Sequence, residues 1–446
     1  MIDPSSNRMD ILFLTNRPAE RTQASTVVEY LDALHKYSSH RVHEISMLHH
    51  FPVNVDLDRF DVVITHYSLS IGPFLHHYLG PDLVNRLKRF KGLKAAFLQD
   101  EYREIQTYWR HINELGLNLL FSCVPDFEIQ KVYPSDKVPG LRVVNVLTGY
   151  VPEALLNQDV KPVSQRSIDV GYRTRKMPFW LGRLGHEKWL IAEEFQRRGG
   201  EYGLSLDLST REGERLYGAA WTEFVASCRS VIGVESGASI IDFDGQLERK
   251  VENYVASNPK ATFEEVSELF LAPFEGSLNL HQISPRCFEA AALRTPMVLF
   301  EGKYSGVLTP DRHYISLRKD FSNFKEVVEK LKDHVELQNM ANRTYQEVAL
   351  NPLWSYRTFI DRVDAELNRE VVRCGTLRAC RPYSSSEFDR AVRSSWGYFL
   401  RRRFVLTMQS VMLGIPFARK TLFWLWQVLP RPIQQAVRPM ARIISR

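Results

Sequence analysis

Between residues 11 and 147, short β-branched or apolar runs alternate with amphipathic stretches, and that alternation limits the possible fold more than any other feature. The runs occupy 11–15, 42–46, 62–65, 94–98, 118–122 and 142–147. Each is too short for a helix and reads as a strand. Such strands separated by helical stretches predict a parallel sheet covered by helices. Polar residues follow three of the runs directly: Thr15-Asn16-Arg17, His66-Tyr67-Ser68 and Gln99-Asp100-Glu101-Tyr102. An open α/β sheet binds ligands outside the carboxyl ends of its strands, so the three clusters are expected to face one crevice.

The pattern lapses over 152–165, a stretch rich in Pro, Asn, Asp and Ser, and a new strand is expected at 167–172. Further strands near 231–234 and 297–300, with helices near 187–198, 213–226, 263–270 and 324–333, predict a second α/β unit. Residues 353–370 read as one closing helix returning to the first unit, with Trp354, Phe359, Val363 and Leu367 on one face. A chain of 446 residues exceeds what one core usually serves. The expected division is therefore 1–160, 161–350, the closing helix 351–372 and a tail 373–446.

The net charge of +6 conceals an uneven distribution: residues 374–446 hold thirteen Lys or Arg against two acids. In that tail aromatics alternate with cations, from Trp396, Tyr398 and Phe399 through Arg401-Arg402-Arg403 to Arg419-Lys420 and Phe423-Trp424-Leu425-Trp426. Helices of this composition lie in the headgroup layer, aromatics immersed and cations toward anionic lipid, so residues 396–446 are expected to meet an anionic membrane surface. No nucleic-acid partner is expected, because a nucleic-acid arm has no use for Val405, Leu406, Met408, Val411, Met412 and Leu413. A helix packing on a protein partner stays open as an alternative. The nearest approach to a membrane span, the apolar stretch 404–418, is cut off by Arg419 and Lys420, and residues 1–10 lack the apolar core of a signal peptide. The five cysteines are scattered, which predicts neither a disulfide framework nor a zinc site and fits a reducing compartment. The expected location is cytoplasmic, peripheral to the inner face of the plasma membrane.

Residues 281–302 are the most informative segment. Ser284 and Pro285 form a helix start, the hydroxyl able to cap free amides and the proline suited to the first turn. The helix should run to about Leu293 and stop before Thr295-Pro296, ahead of a buried strand at 297–300. A helix amino end with unpaired N–H groups and partial positive charge suits a diphosphate. Arg286 and Glu289 lie three apart, hence on one face. A cation beside the phosphates and a carboxylate accepting from ribose hydroxyls would together hold a nucleotide sugar.

The run Arg286-Cys287-Phe288-Glu289-Ala290-Ala291-Ala292-Leu293-Arg294-Thr295-Pro296 resembles the donor-site helix of GT-B glycosyltransferases. The likeness is to the family with a Glu-Ala-x-Ala-x-Gly-Thr-Pro signature and to spore-coat-type relatives with Arg-x-Phe-Glu. Gly182-Arg183-Leu184-Gly185-His186-Glu187-Lys188 is similar to the Gly-Arg-Leu-x-x-Glu-Lys that opens their donor domain. The resemblance implies two Rossmann-like domains facing a cleft, with the acceptor on 1–160 and the nucleotide-sugar donor on 161–350. It further implies that Arg173, Arg183, Lys188 and Arg286 neutralise the diphosphate, Ser284 and neighbouring amides cradle it, and Glu289 holds the ribose. The family often has a second glutamate eight residues before the one matching Glu289, and here His281 occupies that position. Glu235, followed by Ser236 and Gly237 in a loop after a strand, is an alternative donor-side carboxylate. Arg173 and Arg175 compete with Arg183 and Lys188 for the phosphates.

A sugar hydroxyl becomes acidic only as its bond to the anomeric carbon forms, so a nearby base is needed. Asp100 or His66 is expected in that role ahead of Glu101, with a turn or capping role open for each. Asp242-Phe243-Asp244 matches an Asp-x-Asp metal motif but is read as a turn. No metal or other cofactor is expected, since a helix end and arginines can neutralise the leaving diphosphate. The chain lacks Gly-x-x-x-x-Gly-Lys-Ser/Thr, Gly-x-Gly-x-x-Gly and His-Glu-x-x-His. The expected function is transfer of a sugar from a nucleotide sugar to a lipid-linked or surface-glycan acceptor at the cytoplasmic membrane face. A non-catalytic GT-B-like membrane adaptor and a sugar-nucleotide epimerase are the alternatives.

Overall fold

The structure, a computed structural model, describes residues 8–17, 25–47, 50–376, 381–398, 400 and 402–403. Strands β1 (Asp10–Thr15), β2 (Arg41–Ser46), β3 (Val62–Thr65), β4 (Leu93–Leu98), β5 (Leu119–Ser122) and β6 (Arg142–Asn145) form a sheet ordered β2-β1-β3-β4-β5-β6. Every pairing in it is parallel. Burial on both faces explains the apolar runs of β1, β3 and β5, while the edge strands β2 and β6 carry partly exposed polar residues. In β1, Ile11 and Phe13 join a core with helices Ser25–Tyr37 and Tyr356–Cys374, while Leu12 and Leu14 enter the core on the other face.

The second sheet contains β7 (Val170–Arg173), β8 (Leu206–Ser209), β9 (Val231–Gly233), β10 (Met297–Phe300) and β11 (Ile315–Leu317), all parallel, in the order β11-β10-β9-β7-β8. The sequence pattern did not reveal β8 or β11. Both are edge strands; β8 is the half-buried Leu-Asp-Leu-Ser and β11 has three residues. The two Rossmann-like domains facing a cleft that the sequence led us to expect are present.

The chain crosses between domains twice, at one place. Val151 forms a parallel bridge with Ser355, and its N–H donates to the Trp354 carbonyl at 2.9 Å. The Ser355 hydroxyl then caps helix Tyr356–Cys374, accepting from the Thr358 N–H at 3.1 Å. Tyr356, Phe359, Ile360, Val363 and Leu367 of that helix complete the first domain's core. Trp354 departs from the expected face: it lies in the preceding turn, Pro352–Trp354, and packs against the second domain's core.

Residues 236–280 form an arm carrying helices Gln246–Ser257 and Phe263–Val266. The arm reaches the first domain, where Ile240, Ile241, Leu247 and Val251 share a core with Leu98, Tyr102 and Ile105. Arg103 pairs there with Glu248.

The expected tail 373–446 is corrected over 381–398. Tyr383, Phe388 and Tyr398 are buried in the first domain's core, and helix Ser385–Arg393 begins with a capping box between Ser384 and Glu387. Tyr383 and Phe388 have aromatic partners in Phe60 and His43, which makes this segment part of the folded body. Residues 404–446, most of the expected membrane-associating region, lie outside the described residues. No helix among the described residues is long and apolar enough to cross a membrane.

Candidate functional site

Helix Pro285–Ala292 starts where the Ser-Pro pair places it and stops at Leu293 and Arg294, the latter at φ +48°. Its far end is fixed by Arg166, whose guanidinium donates to the carbonyls of Leu293 and Arg294 and to Thr295 Oγ1. Cys287, Phe288, Ala290, Ala291 and Ala292 are buried, so the helix is held along its length and its first turn meets the cleft.

Two adjoining cavities of about 250 and 240 Å³ open at that turn, and Ser284 and Arg286 line both. One extends into the second domain past Tyr172, Arg175, Lys188 and Ser236. The other lies between the domains, with Thr26, Tyr67 and Gln99 on one side and Arg173, Trp221 and Glu289 on the other. Two of the three strand-end clusters of the first domain thus reach the crevice, through Tyr67 and Gln99.

Charge in the cavity that enters the second domain is one-sided. Arg175, Lys188 and Arg286 make no ion pair among the described residues, and Arg286 lies over the Trp221 ring at 5.1 Å. Lys188 is pushed down to about 8, chiefly by burial. Arg173 lines the interdomain cavity, but its charge is answered by Asp207 at 2.7 Å. Glu289 is buried; one carboxylate oxygen accepts from Trp221 Nε1 at 2.7 Å, and burial raises its pKa against the opposing pull of Trp221 and Arg286. The Ser284 hydroxyl, expected to cap the helix, makes no cap hydrogen bond. Several cations, an open helix start and an uncommitted hydroxyl therefore converge on one cavity, an arrangement that favours a multiply charged anion.

Asp100 follows β4 as an exposed carboxylate, held at φ +63° where non-glycine residues are uncommon. Its charge acts on Lys188 of the other domain. His66 is corrected: it is 1% exposed, its Nδ1 accepts from the Ser68 N–H at 3.1 Å, and the rings of Phe13, Tyr30 and Tyr67 pack around it. Burial pushes its imidazole down to about 3, which removes it as a base. Glu101 is buried and bound by the hydroxyls of Ser122 and Tyr133 and the Cys123 amide.

Glu235 is also corrected. It is buried and lines neither cavity; its oxygens accept from the amides of Lys303 and Tyr304 at 2.9 and 2.8 Å and meet His281 Nδ1 at 2.8 Å. It fixes the turn after β10. Gly237 owes its freedom to packing: φ is +115°, and a Cβ would lie 2.6 Å from Leu280 Cβ. Ser236 lines the cavity while its backbone pairs with Gln282. Arg183 is exposed and outside both cavities. The start of its helix, Arg183–Arg198, is closed by Glu275, which accepts from the Arg183 amide at 3.1 Å, and by Ser239, which accepts from the Leu184 amide at 3.2 Å. Asp242 and Asp244 accept from the amides that open helix Gln246–Ser257.

No family model matches the chain, and no curated protein does. Among solved structures, an α-glucosyltransferase in complex with UDP is 11% identical, with 81% of this chain and 100% of that one covered at a TM-score of 0.48. The T4 phage enzyme BGT with its UDP-glucose substrate is 12% identical, over 82% of this chain and 99% of its own, at 0.42. The pneumococcal O-GlcNAc transferase GtfA with UDP and GlcNAc is 13% identical, over 72% and 58%, at 0.36. At these identities and TM-scores the chemistry rests on the residues described above.

Three cleft residues escaped the sequence reading. Arg215 lines both cavities, Trp221 holds Glu289, and Glu29 on helix Ser25–Tyr37 is pushed up to about 8, by burial first and then by the charge of Glu289. Trp221 left a signal: a large aromatic in the small-residue run Gly218-Ala219-Ala220. Glu29 left none, because its neighbour is 260 positions away in the chain.

Proposed function

We propose that this chain is a glycosyltransferase that moves a sugar from a nucleotide-sugar donor to a lipid-linked or surface-glycan acceptor at the cytoplasmic face of the membrane. The observation that carries the reading is the gathering of Arg175, Lys188 and Arg286, none of them in an ion pair among the described residues, around the open start of helix Pro285–Ala292 between two parallel sheets. In this reading the donor diphosphate lies against that turn. The three cations neutralise the charge that develops as the bond between the sugar and the diphosphate breaks. Glu289, oriented by Trp221, accepts from the ribose hydroxyls. Asp100 takes the proton of the acceptor hydroxyl as it attacks the anomeric carbon. No metal step is required by these groups. The acceptor enters along the first domain, past Tyr67 and Gln99, and residues 396–446 hold the enzyme at anionic lipid.

The test is transfer from a panel of nucleotide sugars, with calorimetry using uridine and guanosine diphosphates. Arg286→Ala should weaken nucleotide binding about tenfold to a hundredfold. Asp100→Asn should bind normally and lose turnover by a factor on the order of a hundred to ten thousand. Full activity in both Arg286→Ala and Glu289→Ala rejects the site. Nucleotide binding without turnover on any donor would turn the reading to a non-catalytic adaptor.

A further inference from the structure

The chain reaches its basic tail from a fixed point on the first domain. The Tyr398 hydroxyl donates to the carbonyl of Ser46, the last residue of the edge strand β2, at 2.9 Å. Asn54 binds the same segment twice, its N–H donating to Ser395 Oγ at 3.3 Å and its side-chain amide to Ser394 Oγ at 2.9 Å. Arg59 lies over the Tyr383 ring at 3.5 Å. The segment thus runs along the β2 side of the first sheet, from the amino end, where Arg41 donates to the Tyr383 carbonyl, to the carboxyl end at Tyr398, the edge from which Tyr67 and Gln99 reach the cleft.

Three large apolar side chains remain in water here: Val53 at 74% exposure, Trp396 at 72% and Leu400 at 58%. The Asn54 bonds bring the first two together. Arg393 and Arg403 are exposed in the same stretch of chain. Beyond it, residues 404–446 contain six Lys or Arg, no Asp or Glu, and five aromatics. An apolar patch rimmed by cations and continued by a wholly cationic apolar segment matches an anionic bilayer in both charge and polarity.

We propose that Val53, Trp396 and Leu400 insert into the headgroup layer of an anionic membrane, so that the folded body, and not the tail alone, contacts lipid. The carboxyl edge of the first sheet then faces the bilayer, and a lipid-linked acceptor enters the cleft from the membrane side. This rests on the membrane reading of the tail given above.

The experiment is sedimentation of the full-length protein with vesicles of equal parts phosphatidylglycerol and phosphatidylcholine. Wild type is compared with Val53→Ser/Trp396→Ser and with the tail variant Arg419→Gln/Lys420→Gln. The patch substitutions should lower vesicle affinity about tenfold or more, with nucleotide binding and melting temperature unchanged. Brominated lipid should quench wild-type fluorescence more than that of Trp396→Phe. Binding by wild type that the patch variant retains in full, with equal quenching in Trp396→Phe, overturns this proposal alone and indicates that the patch is covered by the tail or by protein. Failure of wild type to bind anionic vesicles overturns the membrane reading and this proposal with it.

Discussion

Lys188 couples the cavity to pH. Burial holds it near 8 in the free protein, and a diphosphate beside it favours the charged form, so binding raises its pKa and takes up a proton. Affinity is then full below pH 8 and declines as pH rises through 8 toward the pKa of the bound state. Calorimetry in buffers of differing ionisation enthalpy should detect the proton at pH 8.5 or so, and Lys188→Met should abolish both the uptake and this pH dependence. Glu29 shows the opposite linkage. Its pKa is about 8 when folded against 4.5 when exposed, so between those values the folded state holds more protons and stability falls as pH rises. Glu29→Gln escapes that loss. Its stability gain over wild type should be absent below pH 4.5 and grow to roughly 2 kcal/mol by pH 8 after allowance for partial solvation, as read by denaturant melts.

At the scale of elements, the loop after β9 separates packing from binding. Gly237→Ala places a Cβ 2.6 Å from Leu280 Cβ at a φ of +115°, and should cost about 2–3 kcal/mol of stability. Ser236→Ala next to it should leave the melting temperature within a degree or so while weakening nucleotide binding. The contrast shows what the sequence could disclose. The central strands of the first sheet were legible because two-sided burial writes apolar runs, and helix Pro285–Ala292 because its Ser-Pro start and Thr-Pro stop are local signals. The Gly182-Arg183 motif misled because Glu275, far along the chain, closes that helix start. Glu235 misled for the same kind of reason, since the amides of Lys303 and Tyr304 that occupy it belong to another strand's turn. His66 carried the right chemistry in the right place after β3, but only the packing of Phe13, Tyr30 and Tyr67 decides that it faces inward.

The two domains are joined by side-by-side crossovers at 151 and 355 and by the arm that carries Glu248 to Arg103. The catalytic geometry assigned above spans them, since the cations lie on the second domain while Asp100 lies on the first. Gly149 lies where they press together: a Cβ there would stand 2.9 Å from Thr26 Cγ2 and 3.0 Å from Pro285 Cβ, the opening residue of the donor-side helix. Thr148 adds a hydrogen bond from its hydroxyl to the Ile283 carbonyl at 2.6 Å. Gly149→Val would force the helix start away from the first domain without touching Arg175, Lys188 or Arg286. Nucleotide affinity, a property of the second domain, should therefore change less than about threefold, while transfer falls roughly a hundredfold through misplacement of donor and base. Equal losses in calorimetric affinity and turnover would mean that the diphosphate is held jointly by both domains, and that closure of the cleft accompanies donor binding and does not wait for the acceptor.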